Sequence, residues 1–229
     1  STGTTISGTT AKTMKYVDDV LIIQTLSLVK NPNGGNNNVV RISYEVKNTS
    51  LTSKNIGIRI MIDTMLGSND GAPFKVSGRS VEYEQEFSGK SIPRTYQALD
   101  NLTNPVLTAT GYTYYDNLVR PDKVQFVNWG NIRGSSWNYS IDSSERVTYD
   151  SAAAFYFNES TVAPNQSKFA SSYYGAYNRE VTSKRDAFDY DSKTYYKDLA
   201  VLCAKMAAFA YEDYQYNSSN DYFFNVKDS

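Results

Sequence analysis

Residues 39–74 read VVRISYEVKNTSLTSKNIGIRIMIDTMLGSNDGAPF, and this stretch decides the fold. Val40, Ile42, Tyr44 and Val46 alternate with Arg41, Ser43, Glu45 and Lys47. Successive side chains of a strand point to opposite faces, so a period of two marks a strand with one buried side. The polar run 48–55 is a turn. Ile56, Ile58, Ile60 and Ile62 then resume the period. Arg59 falls on the opposite face, but so does Met61, so that side is expected to be partly covered. Two strands alone are not stable in water, so the pair predicts a second sheet or a third layer.

Working outward, residues 20–29 (VLIIQTLSLV) read as a strand, and 31–38 (NPNGGNNN) as a turn. Proline fixes φ there, while glycine and asparagine tolerate φ > 0. Residues 1–19 begin STGTTISGTTAKT, without the charged end or apolar core of a signal peptide, and read as a flexible N-terminal segment. Downstream, Val81, Tyr83, Gln85 and Phe87 alternate with Glu82, Glu84 and Glu86, as in a half-exposed strand with an acidic outer face. Residues 91–105 are irregular, with a helical turn expected over 96–102. Strands resume at 106–115, 123–129, 152–157 and 168–177, the last two separated by the turn 163–166. Strands with turn signals between them and no helix predict a mainly β fold: an antiparallel β-sandwich of about nine or more strands over 20–177. Residues 178–193 are charged and lack alternation, so they read as a linker. In 194–211, Leu199, Leu202 and Met206 recur at helical spacing. The unit 194–229 is therefore expected to be an amphipathic helix and tail, with Cys203 a small buried hydrophobe within it.

Composition narrows the function classes. The chain has 229 residues with 23 basic and 24 acidic side chains. This balance argues against a nucleic-acid binder working through a basic face. No apolar run approaches the roughly 18 residues of a membrane-spanning helix. Cys203 stands alone, so no internal disulfide forms. Histidine is absent, which removes the usual general base.

Two places carry candidate sites. In DTMLGSNDGAPF, Asp63, Asn69 and Asp70 offer hard oxygen ligands for Ca²⁺, although their spacing is not that of an EF-hand. The competing reading is a structural loop whose polar side chains satisfy backbone N–H groups. In NWGNIRGSSW (128–137), Trp129 and Trp137, with Tyr139 nearby, would stack on sugar rings if exposed. If buried, they plug the core. The Glu82, Glu84, Glu86 row invites a glycosidase reading, but a solvated face that discourages edge pairing explains it better. Asp186, Asp189 and Asp191 form a second acidic group, best read as exposed linker. Sequons at Asn48, Asn101, Asn138, Asn158, Asn165 and Asn217 arise easily in a chain this rich in Asn, Ser and Thr, and no function is assigned to them.

The segments VKNTS…IGIRIMIDTMLGSNDGAPF, PDKVQFVNWGN and DSAAAFYFNESTVAPNQSKFASSYYG resemble a β-sandwich region of large bacterial secreted or cell-surface proteins, over roughly residues 20–177. The resemblance implies architecture and an extracellular or cell-surface location, and no chemistry. The segment DYDSKTYYKDLAVLCAKMAAFAY is similar to the opening helix of lipase-like α/β-hydrolase domains. The chain departs from that family in lacking both a G-x-S-x-G elbow and any histidine. Any such hydrolase activity would therefore require a catalytic part beyond this chain.

The expectation is a non-catalytic extracellular structural or surface module that self-associates, with itself or surface glycans as partners. No nucleic acid, no transmembrane segment and no cofactor other than a possible Ca²⁺ ion is expected. A carbohydrate-binding module and an accessory fragment of a lipase-like hydrolase are the alternatives.

Overall fold

The computed structural model describes residues 3–32, 37–115, 118–176, 214–216 and 221–226. The chain is mainly β, and its two sheets face each other across one large core. The first sheet has nine strands in the order β1-β2-β3-β4-β13-β10-β9-β6-β7. These are β1 (Gly3–Ser7), β2 (Thr10–Val17), β3 (Val20–Lys30), β4 (Asn37–Asn48), β6 (Phe74–Val76), β7 (Arg79–Val81), β9 (Thr95–Leu99), β10 (Thr108–Tyr112) and β13 (Ser167–Ala176). The second sheet has six, in the order β14-β15-β5-β12-β11-β8. They are β5 (Lys54–Asp63), β8 (Gln85–Ser88), β11 (Lys123–Asn128), β12 (Ser151–Val162), β14 (Tyr214–Tyr216) and β15 (Asp221–Val226). Pairing is antiparallel except for β15 on β5.

The alternation read from the sequence builds this core. Ile22, Leu26, Val40, Ile42 and Tyr44 of the first sheet meet Ile56, Ile58, Ile60 and Ile62 of the second. Phe74, Tyr96, Phe126 and Phe155 fill the middle, with Phe74 and Phe126 centroids 4.8 Å apart. Tyr96 meets Phe126 edge-on at 5.0 Å, a favourable aromatic geometry. The Tyr96 ring fits because residue 111 is glycine: a Cβ there would lie 2.0 Å from Cζ of Tyr96.

The covered face expected opposite Ile58 and Ile60 is present. Met61 and Arg59 are buried, and Met61 joins a second cluster with Val127, Trp129, Ile132, Trp137 and Tyr156. Residues 129–142 thus form a third layer over the outer face of the second sheet. They include the only α-helix among the described residues, α1 (Trp129–Ile132), capped by the Asn128 side chain accepting from the Asn131 N–H.

Three expectations change, and the C-terminal unit gains detail. The segment expected to be flexible over 1–19 is ordered over 3–19: β1 and β2 form a hairpin that pairs onto β3. The turn at Gly8 (φ +56°) and Thr9 and the turn at Asp18 (φ +51°) and Asp19 are both two-residue connections, which match strand twist only with φ > 0. Residues 81–87 are not one strand. β7 ends at Val81 in the first sheet and β8 begins at Gln85 in the second, so the chain crosses between sheets and Glu84 is buried. The helical turn expected over 96–102 is replaced by β9, whose pairing with β10 and β6 overrides local irregularity. The unit 194–229 holds two described strands, β14 and β15. The linker 178–193, its Asp186, Asp189 and Asp191, and the helix expected over 194–211 with Cys203 lie outside the described residues. No helix among the described residues is long and apolar enough to cross a membrane.

Candidate functional site

The loop after β5 folds back on the start of β12. β5 and β12 pair with Asp63 opposite Ala152. The Thr64 N–H and Oγ1 both reach the Ser151 carbonyl at 2.9 Å, and the Ser151 N–H donates to the Asp70 carbonyl at 3.0 Å. Leu66 and Asn69 exchange backbone hydrogen bonds around Gly67. Three carboxylates converge as a result. Asp63, Asp70 and Asp150 each place one oxygen within 4.8 Å of the other two.

Asn69 is not part of this group. Its side-chain oxygen accepts from the Gly71 N–H at 3.0 Å, and its amide donates to the Asp100 carbonyl at 2.8 Å. The structural reading of the loop therefore holds for Asn69, while Asp63 and Asp70 find a third carboxylate that lies 80 residues further along. The electrostatics follow from proximity and partial burial. Oδ1 of Asp63 is buried without a hydrogen-bond partner. Burial, then the neighbouring Asp150 and Asp70, pushes the Asp63 carboxyl up to about 7. Burial and Asp70 also raise Asp150, opposed by the Arg133 guanidinium. Like charges this close disfavour full ionisation. The cluster can relieve that repulsion by holding a proton or a hard cation.

The aromatic candidates turn inward. Trp129 is 6 % exposed and Trp137 is 8 % exposed, so neither offers the open face that sugar stacking needs. Trp137 packs edge-on to Tyr156 at 5.4 Å, over Gly57, where a Cβ would come within 2.9 Å of the indole. Tyr139 is half-buried, and its hydroxyl donates to the Glu84 carboxylate, 2.9 Å from either oxygen. Burial, then Glu84, holds the Tyr139 phenol far above its ordinary range.

The third layer is strapped down by polar contacts. Glu84 also accepts the Asn128 N–H at 3.0 Å and the Asp142 N–H at 2.8 Å. Gln125 donates to the Tyr139 carbonyl at 2.8 Å and accepts from the Tyr156 hydroxyl at 2.7 Å. Arg59, fully buried, donates to Ser135 Oγ, to the Ser135 carbonyl and to the Trp137 carbonyl at 2.6–2.8 Å. The large majority of buried polar groups in folded proteins are paired in this way. Within the glutamate row Glu84 is a buried clamp, whereas Glu82 reaches Arg146 at 3.7 Å on the surface.

The remaining feature is a sheet edge. β1 ends the nine-stranded sheet and all five of its residues are exposed. Sequence reasoning missed it because Thr4, Thr5 and Ile6 show no apolar alternation. The two-residue hairpin spacing around Gly8 was the available signal. No known family model matches the chain, and no curated protein matches it significantly.

Proposed function

We propose that this chain is a non-catalytic structural module that associates with copies of itself through a sheet edge left uncovered by the described residues. The observation that carries the reading is β1. A strand at the end of a sheet presents a row of unpaired N–H and C=O groups, which is a template for another strand. β1 has no charge, proline or bulge to blunt it. On the outer face of the adjoining strands Met14 lies opposite Ile23, and Tyr16 opposite Leu21, with Met14 and Tyr16 exposed. An extracellular setting belongs to this proposal through the sequence resemblance.

The absence of histidine supports the non-catalytic reading. So does the use of Glu84 and Tyr139 as mutual anchors rather than as free acid and base. Sedimentation velocity over a wide concentration range tests the proposal. A weight-average mass that rises with concentration, and falls back to monomer when Ile6→Lys charges the edge, is expected. A monomer at every concentration overturns it, as would esterase turnover by this chain for the non-catalytic part.

A further inference from the structure

We propose that the partner strand is β1 of a second copy, antiparallel, with Thr5 facing Thr5 across a two-fold axis. The two nine-stranded sheets would then run on as one. The inference rests on the self-association reading above and specifies its geometry.

The four sheet edges are unequal. β7 has three residues and carries Arg79; β8 has four and carries Glu86; β14 has three. Short edges and edge charges are the usual protections against pairing. β1 is longer than each and uncharged, and Thr4, Thr5 and Ile6 are β-branched residues that suit a strand. A two-fold contact joins the same surface patch on both copies. A charged edge would therefore meet like charge in its own image, and β1 would not.

Access also favours β1. Nine strands face six, and every residue of β1 is exposed, so no second-sheet strand covers it. A copy can approach in the plane of the sheet.

Strand geometry then fixes the register. Directly opposed residues in an antiparallel pair point to the same face. A two-fold axis perpendicular to the sheet preserves faces, so the axis must set some residue opposite itself. Over Gly3–Ser7, only Thr5 in that place pairs all five positions: Gly3 with Ser7, Thr4 with Ile6, and Thr5 with its image. The contact is far smaller than the roughly 1,200–2,000 Å² of a stable interface, so it forms at high local concentration.

Disulfide capture at high protein concentration tests the geometry. Directly opposed Cβ atoms lie about 4.5–5.5 Å apart, and diagonal neighbours stand farther off at about 7–8 Å. Thr5→Cys should oxidise to a covalent dimer several-fold faster than Thr4→Cys. The parent chain, with Cys203 as its one thiol, is the blank. Both variants are repeated with Cys203→Ser, and an unchanged monomer sedimentation coefficient serves as the folding check. Equal or reversed rates overturn the two-fold on Thr5. Sedimenting oligomers without Thr5 capture overturn β1 pairing with β1 but leave self-association standing. Absence of both capture and oligomers removes both readings.

Discussion

Tyr139 donates its hydroxyl to Glu84, which lies 1 % exposed between the two sheets and accepts backbone N–H groups from Asn128 and Asp142 as well. One carboxylate thereby ties both ends of the third layer to the crossing between β7 and β8. Glu84→Ala would leave two backbone donors without their partner, at about 1–3 kcal/mol for each buried group left unpaired. Tyr139→Phe removes one donor and spares the rest, costing about 1 kcal/mol. Urea denaturation followed by tryptophan fluorescence checks both values, since Trp129 and Trp137 sit in that layer. An Ala variant as stable as the parent would show that Glu84 is no clamp.

Tyr96 and Gly111 give a prediction of the opposite sign. The Tyr96 hydroxyl is buried in the aromatic core without a hydrogen-bond partner, and burial raises its phenol well above the ordinary range. Tyr96→Phe deletes the orphaned hydroxyl and keeps the ring, so thermal unfolding should show stability unchanged or raised by about 1 kcal/mol. Gly111→Ala drives a methyl into that ring and should cost about 1–3 kcal/mol or more. Tyr96→Leu should relieve much of the clash, a coupling that a double-mutant cycle reads directly.

Asp63 predicts a pH dependence. Its folded carboxyl titrates near 7, above the ordinary 3.8, so the folded state holds the proton more tightly than the unfolded chain. The resulting stabilisation is complete below the unfolded value and is lost as pH rises through about 7. Denaturation midpoints should therefore fall between about pH 4 and about pH 7 and level off above that, and Asp63→Asn should flatten the decline. Calcium distinguishes the possible occupants. A cation held by Asp63, Asp70 and Asp150 needs them ionised, so its stabilisation would appear at the alkaline end and vanish in Asp63→Asn. No effect of millimolar calcium at any pH would leave the proton as the occupant.

The sequence revealed the parts of the fold where burial imposes a period. β4 and β5 follow the alternation of Val40–Val46 and Ile56–Ile62 because each has one face on the central core. Met61 signalled the covered outer face correctly. The failures share a different cause. All of β1 is exposed and β2 touches the core mainly through Val17 at its end, so little selects an apolar face and these strands carry no hydrophobic pattern. Residues 81–87 alternate well enough for one strand, but Glu84 is buried as a polar clamp at the crossing, which a pattern of charge alone cannot distinguish from exposure. The acidic cluster was half legible: Asp63 and Asp70 are neighbours in the chain, whereas Asp150 joins them only through the register that sets Asp63 opposite Ala152.

Hydrogen exchange at β1 as a function of protein concentration tests the central claim most directly. The amides of Gly3–Ser7 that point away from β2 have no partner among the described residues and should exchange freely when dilute. If a second copy supplies the missing strand, their protection should grow with concentration, while amides of the shorter edges β7 and β8 stay as they were. Exchange at β1 that is identical at every concentration, in a chain that remains monomeric, would contradict the account.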